Sequence, residues 1–314
     1  MFSGQGSQYY QMGAELYRHS TLFRHTMQKL DAMAERHLGE SVIHALYDAG
    51  HGKSQPFIRT RITHQAIFMV QYALSQVLLA DGVRPSVLVG ASLGEVSAAA
   101  VSGMLSVDEC IALLFEHARL LESRCERGGM VAVLDSPELY WREPRLFQHC
   151  EMASLSGPSH FVIAGDSKAL AQAAEYLTSR AILHRALPVE YAFHSSWLEP
   201  SGSELCSFLA TLDSRTPDIP TLSCATAQPV EAMTGDHIWR VFRGPIRFLD
   251  TVCALEERGS YLYVDAGPSG TLAALIRPTV AERGTSAICA TITPFGKAVE
   301  SLARAKTTIL GENR

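Results

Sequence analysis

A short apolar run, Ser86-Val87-Leu88-Val89, ends at Gly90 and passes through Ala91-Ser92-Leu93-Gly94 into Glu95-Val96-Ser97-Ala98-Ala99-Ala100. The run is continuous and β-branched, as in a strand buried on both faces, and the segment after the turn has helical composition. Between them stands Gly-x-Ser-x-Gly in the context that gives it chemical meaning, a strand before and a helix after. Small residues are needed because a tight turn leaves no room for bulky neighbours. Such a turn lifts the serine hydroxyl clear of the sheet, at the positive end of the helix dipole. It also aims the backbone N–H of Leu93 at a developing oxyanion. Ser92 is therefore the candidate nucleophile. The alternative is a plain strand–helix connection in which the serine only caps.

Upstream, residues 14–34 and 64–81 carry apolar side chains at helical spacing, and the second segment is apolar nearly all round, which marks a buried helix. Downstream, a helix is predicted over 107–124. From Gly129 the texture changes. A strand at 130–134 and a helix at 137–148 precede two strands, 152–155 and 160–164, around the turn cluster Ser156-Gly157-Pro158-Ser159. Asp166 is placed to cap a helix over 168–179, and a strand at 182–189 closes the unit. The order β-α-β-β-α-β within about sixty residues is the split βαβ, ferredoxin-like pattern. A small inserted domain is thus expected at 128–190. The chain then returns to α/β, with a strand at Tyr261–Asp265, a turn at Ala266-Gly267-Pro268 and a helix over 270–277.

A chain of 314 residues is enough for one large domain carrying a small one. With 47% hydrophobic and 19% charged residues it is neither disordered nor fibrous. The net charge of −5 and the lack of a basic tract argue against a nucleic-acid partner. Seven widely spaced cysteines without a CxxC suit reduced thiols better than a disulfide framework or a zinc site. No apolar stretch approaches the roughly 20 residues of a membrane span. The polar, Gly-rich opening does not resemble a signal peptide, so a cytoplasmic location is expected. There is no HExxH, no GxGxxG after a strand, and Gly4-Gln5-Gly6 lacks the Gly-Lys-Ser/Thr ending of a phosphate loop. No metal or redox cofactor is expected.

A serine nucleophile needs a base. Of the twelve histidines, His194 stands out in Tyr191-Ala192-Phe193-His194-Ser195-Ser196, where the chain leaves the inserted domain. A junction between domains makes a cleft wall, and aromatic neighbours exclude water. His64 and His117, each on a predicted helix, compete with it.

Four motifs stand in one order: Phe2-Ser3-Gly4-Gln5-Gly6-Ser7-Gln8, Gly90-Ala91-Ser92-Leu93-Gly94-Glu95, Ala192-Phe193-His194-Ser195 and Val264-Asp265-Ala266-Gly267-Pro268. Over nearly the whole chain they resemble the acyltransferase family typified by malonyl-CoA:acyl carrier protein transacylase and polyketide synthase acyltransferase domains. The resemblance implies an α/β-hydrolase-like large domain with a parallel sheet, residues 1–127 and 191–314, around the ferredoxin-like insert. It implies Ser92 as nucleophile, His194 as base, and the backbone amides of Gln5 and Leu93 as oxyanion hole. Because the chain opens almost on the first motif, the family's opening strand is expected to be nearly absent and Met1 not to be the natural start.

Departures from the family pattern sharpen the reading. Registered on Gly128-Gly129-Met130, the arginine that clamps the free carboxylate of malonyl groups in the family falls on His117. Arg119 lies roughly 200° further round a helix and cannot simply substitute. Neutral imidazole offers one donor where guanidinium offers a charged fork. The family's Asn before Gly-Pro appears as Ser156. Its Gln/Asn before a Pro-Val-Arg-Phe-like stretch appears as Val241, whose backbone carbonyl is expected to orient the histidine. The residue before the nucleophile, commonly His, is Ala91.

This combination resembles the acyltransferase-like acyl hydrolases of trans-acyltransferase polyketide pathways, which strip stalled acyl chains from carrier proteins. The implied partner is acyl carrier protein bearing a phosphopantetheine-bound acyl thioester. The readings to be separated are thus a thioester hydrolase, a malonyl or other acyl transferase, and a catalytically silent carrier-docking protein. Arg240, Arg243 and Arg247 could form a basic rim for an acidic carrier, although arginines at a helix end are more often plain solvated surface.

Overall fold

The computed structural model describes residues 1–311. Its strands, in chain order, are β1 (Leu88–Gly90), β2 (Gly129–Val133), β3 (Glu151–Gly157), β4 (His160–Gly165), β5 (His184–Ala186), β6 (Thr221–Ser223), β7 (Gln228–Pro229), β8 (Leu262–Asp265) and β9 (Ala287–Ala290). In the large domain β1 pairs parallel with β6, and β8 parallel with β9, while the short β7 runs antiparallel to β6. Met1 and Phe2 join these pieces. Phe2 N–H donates to Val89 O at 2.8 Å and Ala91 N–H to Phe2 O at 2.9 Å. On the other side the Met1 nitrogen donates to Val264 O at 2.7 Å. Met1 and Phe2 thus bridge the two pieces in the order β9-β8-(Met1-Phe2)-β1-β6-β7.

Helices cover this sheet. Thr60–Ala80 is buried along most of its length, with Ile62, Ile67, Phe68 and Met69 fully inside. The helix expected over 14–34 is two, Ala14–His19 and Thr21–Leu38. Ser20 divides them in an extended conformation, and its hydroxyl accepts from Phe23 N–H as an N-cap. The helix expected over 137–148 also divides, into Glu138–Arg142 and Pro144–Phe147. A residue before proline avoids helical geometry, and Glu143 sits at φ −106°, ψ 104°. Val107–Arg124 forms as read, opened by a reciprocal cap between Ser106 and Glu109.

The insert has the sheet order β3-β4-β2-β5, antiparallel at every pairing, with Ser167–Ser179 capped by Asp166. Ser156 lies in β3 and not in the turn, which is reduced to Pro158-Ser159. The closing strand spans three residues of the eight expected, and Pro188, which has no N–H, keeps the ladder from continuing past Leu187. Side chains alternate across this sheet. Val131, Val133, Phe161 and Ile163 pack with Tyr140, Leu146, Ala173 and Leu177. Met130, Ala132, Val162 and Ala164 face the large domain with Tyr191 and Phe193. The outer edge of β3 is bolted to the large domain: Leu155 N–H donates to Ile246 O at 2.8 Å and Ile246 N–H to Ala153 O at 2.9 Å. The helix expected over 270–277 runs on through Pro278, as Thr271–Arg283.

Candidate active site

Ser92 stands between β1 and the helix Leu93–Val101 at φ 57°, ψ −127°, a conformation L-residues rarely adopt. The turn is held by close approach. A Cβ on Gly90 would lie 2.4 Å from Glu95 Cα, and one on Gly94 would lie 2.0 Å from Phe2 O. The opening loop crosses directly over Ser92, since a Cβ on Gly4 would sit 2.8 Å from Ser92 Cβ. Gln5 comes next in that loop, its Nε2 donating to Thr63 Oγ1 at 2.8 Å, which ties the loop to Thr60–Ala80. Leu93 opens its helix, so its amide has no carbonyl one turn back.

Ser92 Oγ lies 2.8 Å from His194 Nε2, and His194 Nδ1 lies 2.8 Å from Gly244 O. A carbonyl can only accept, so Nδ1 carries the proton and Nε2 is left as acceptor for the hydroxyl. His194 is buried, at φ 61°. Burial lowers its pKa to about 4 against the opposing pull of the Gly244 carbonyl, so the ring is neutral near pH 7. A hydroxyl bonded to a neutral imidazole can lose its proton as it attacks. Of the competing histidines, His64 is buried beside Leu114 O at 3.5 Å and takes no part in this contact.

The carbonyl behind His194 is not the one expected. Val241 is buried within the helix Gly235–Arg243, and the acceptor is Gly244, just past its end. Helical carbonyls point along the axis. Gly244, extended at φ −80°, ψ 161°, turns its carbonyl aside. Sequence reasoning also gave Glu95 no role. It is 2% exposed, and one oxygen accepts from Ser223 Oγ at 2.9 Å and Ala225 N–H at 3.1 Å. Its other oxygen lies 3.2 Å from His237 Nε2. Glu95 thereby ties the helix that begins after Ser92 to the helix that ends at Gly244.

His117 is 1% exposed, and neither ring nitrogen has a hydrogen-bond partner. Its ring stacks on Phe242 at 3.9 Å and on His64 at 5.3 Å. Burial, with His64 and His194 nearby, holds its pKa well below the usual imidazole range. Arg119 turns outward and forks onto Glu116 at 2.6 and 2.8 Å, so it does not approach the site. A cleft of about 150 Å³ opens beside Ser92 and His194. Ala91 lines it from the large domain; Met130, Ser154, Ser156 and His160 line it from the insert. Among the described residues lining it, none is Lys, Arg, Asp or Glu. His117 and Val241 are not among its lining residues. Ser154 and His160 were missed, although Ser154 shares a strand face with Ser156 by simple alternation.

The three arginines of the expected rim are locally occupied or solvated. Arg243 pairs with Glu199 at 2.8 Å, Arg247 with Asp250 at 2.8 Å, and Arg240 is exposed. No helix among the described residues is long and apolar enough to cross a membrane, and no cluster of three or more His, Cys, Asp or Glu among them could hold a metal ion.

Residues 1–312 match the acyl transferase domain model. The chain belongs to the acyl transferase domain family. This acyltransferase is 42% identical over 310 residues to the polyketide biosynthesis acyltransferase homolog BaeD of Bacillus velezensis, covering 99% of this chain and 96% of that one. It is 38% identical to the homolog PksD of Bacillus subtilis, over 96% of this chain and 93% of the relative. Among solved structures, the acyltransferase domain of SpnD superposes with a TM-score of 0.88 at 29% identity, over 98% of this chain and 74% of that one. The loading acyltransferase of the avermectin polyketide synthase shares the fold, with a TM-score of 0.90 at 24% identity over 99% and 98% of the two chains. The two-part α/β architecture is that of these acyltransferases, and the chain is an enzyme of the acyltransferase type.

Proposed function

We propose that this acyltransferase releases acyl groups from acyl carrier protein thioesters in polyketide biosynthesis, with water as the final acceptor. Residues 1–127 and 191–314 would supply the reacting groups, and the insert, 128–190, the wall against which the acyl chain lies. Ser92 Oγ attacks the thioester carbon while its proton passes to His194 Nε2. The backbone amides of Gln5 and Leu93 hold the oxyanion. The pantetheine thiol leaves with the proton from His194. Water, deprotonated by the same nitrogen, then attacks the acyl-serine, and the proton passes from His194 to Ser92 Oγ as the free acid leaves.

The observation that carries this reading is the uncharged cleft beside a hydrogen-bonded Ser92–His194 pair. A malonyl carboxylate buried there would have no cation, and an unpaired buried charge costs several kcal/mol. His117, neutral and buried, stands where the family's arginine falls, and Arg119 is engaged elsewhere. Neutral acyl groups are therefore the expected cargo. The polyketide setting rests on the similarity to BaeD and PksD.

The test is to incubate the enzyme with acetyl- and malonyl-loaded carrier protein and track free acid, transferred acyl group and intact thioester by mass. Release of acetate is the expected result. Acyl transfer to a second carrier without free acid would make the enzyme a transferase, and an untouched thioester would make it a docking partner.

A further inference from the structure

The insert turns one face of its sheet toward Ser92, and that face is not uniformly apolar. Met130, Ala132 and Val162 alternate there with Ser154, Ser156 and His160, all six lining the cleft. Ser154 and Ser156 are each 5% exposed, and their Oγ atoms lie 2.8 Å apart. Each hydroxyl has one hydrogen to donate. Their mutual bond uses one, and the other finds no acceptor among the described residues. His160, two residues from Val162 on the neighbouring strand, has its Nδ1 buried without a partner. A pocket for plain alkyl chains would be better served by Ala or Val at these positions, because a buried polar group left unpaired costs about 1–3 kcal/mol. Donors and acceptors held ready, with no charge among them, match a neutral oxygen.

We propose that Ser154, Ser156 and His160 form a hydrogen-bonding subsite for a hydroxyl or keto oxygen near the thioester, so that 3-oxygenated acyl chains are preferred over alkyl chains of equal length. The inference rests on Ser92 as the acylated residue, but not on whether water or a thiol completes the cycle. The spare hydroxyl hydrogen would donate to a keto oxygen, and a substrate hydroxyl could donate to Ser Oγ or to an unprotonated His160 nitrogen. The small cleft keeps that oxygen within a few bonds of the carbonyl carbon. A site built to hydrogen-bond a substrate group discriminates against the analogue lacking it, because its own polar atoms are then left bare.

The experiment measures acylation of Ser92 by intact mass, using 3-hydroxybutyryl and butyryl N-acetylcysteamine thioesters. The wild-type rate ratio should favour the hydroxylated chain by about tenfold, one good hydrogen bond. In Ser154→Ala/Ser156→Ala the ratio should fall toward one, and His160→Phe should lower it separately. A wild-type ratio near one overturns the subsite without any variant having to fold. A high ratio that survives both substitutions overturns these residues as its cause. If neither thioester labels Ser92 and neither releases free acid, the active-site reading itself fails and the subsite falls with it.

Discussion

On the large-domain side of the cleft, Ser92 Oγ and both nitrogens of His194 have partners at 2.8 Å. Both oxygens of Glu95, outside the lining, have partners between 2.9 and 3.2 Å. Gln5 Oε1 alone among the buried side-chain atoms described there has none. On the insert wall, a serine hydroxyl hydrogen and His160 Nδ1 have none. The atoms compared are buried on both sides, so the contrast is not one of solvent access. Groups that must hold a fixed geometry before substrate arrives are tied to the protein. Groups whose partner arrives with the substrate are left free.

The largest effect should come from breaking the first wall at its centre. Ser92→Ala should abolish acyl-enzyme formation and lower turnover by roughly a thousandfold or more, read as free acid by mass. His194→Ala should act similarly, and the double variant should be little worse than either single one, because the two residues work as a unit. Additive losses would point to another base.

Removing the tie behind that wall comes next. Glu95→Ala strips a buried carboxylate from Ser223, Ala225 and His237, and should cost about 3 kcal/mol of stability by urea unfolding. A variant as stable as wild type would show that the two helices hold their positions without it.

The buried histidines give the third. His64 and His194 have pKa values lowered to about 4 by burial, against about 6.5 in an unfolded chain. The unfolded state therefore binds more protons between these limits, and stability is lost as pH falls from about 6.5 toward 4. Each should cost about 2 kcal/mol by pH 5, seen as a lower urea midpoint than at pH 7. The acid limb of the rate profile should likewise lie near pH 4. An inflection near 6.5 would mean that water reaches His194 freely.

The smallest expected effect concerns His117. His117→Arg should raise the ratio of malonyl to butyryl kcat/KM by about tenfold, the worth of one charge-assisted hydrogen bond. A wild type that already prefers malonyl carrier protein would undo the argument from the uncharged cleft.

Much of this molecule was legible in the sequence because local rules sufficed. Gly90 and Gly94 bracket a turn that no larger residue could make, and the period-2 and period-3.6 patterns gave the insert its order. The features that escaped depended on tertiary placement. Gly244 is silent in sequence, since any residue has a carbonyl and only the end of Gly235–Arg243 aims this one. Glu95 reads as an ordinary first-turn acid until Ser223 and His237 close on it from distant elements. His160 is one histidine among twelve until the hairpin folds it beside Ser156. The breaks at Ser20 and Glu143 were written locally, in a cap residue and a proline, but the apolar spacing ran across them.

The bolt between β3 and the large domain joins more than two domains. Ile246 exchanges hydrogen bonds with Ala153 and Leu155, flanking Ser154 on the insert wall, and it lies two residues beyond the carbonyl that orients His194. A hinge motion that swings the insert outward must either break that ladder or drag Gly244 with it. The insert wall and the carbonyl that holds the imidazole are thus geared together through one short segment. The amides of Leu155 and Ile246 should then exchange with deuterium at one common rate, and separate rates would disengage the gear.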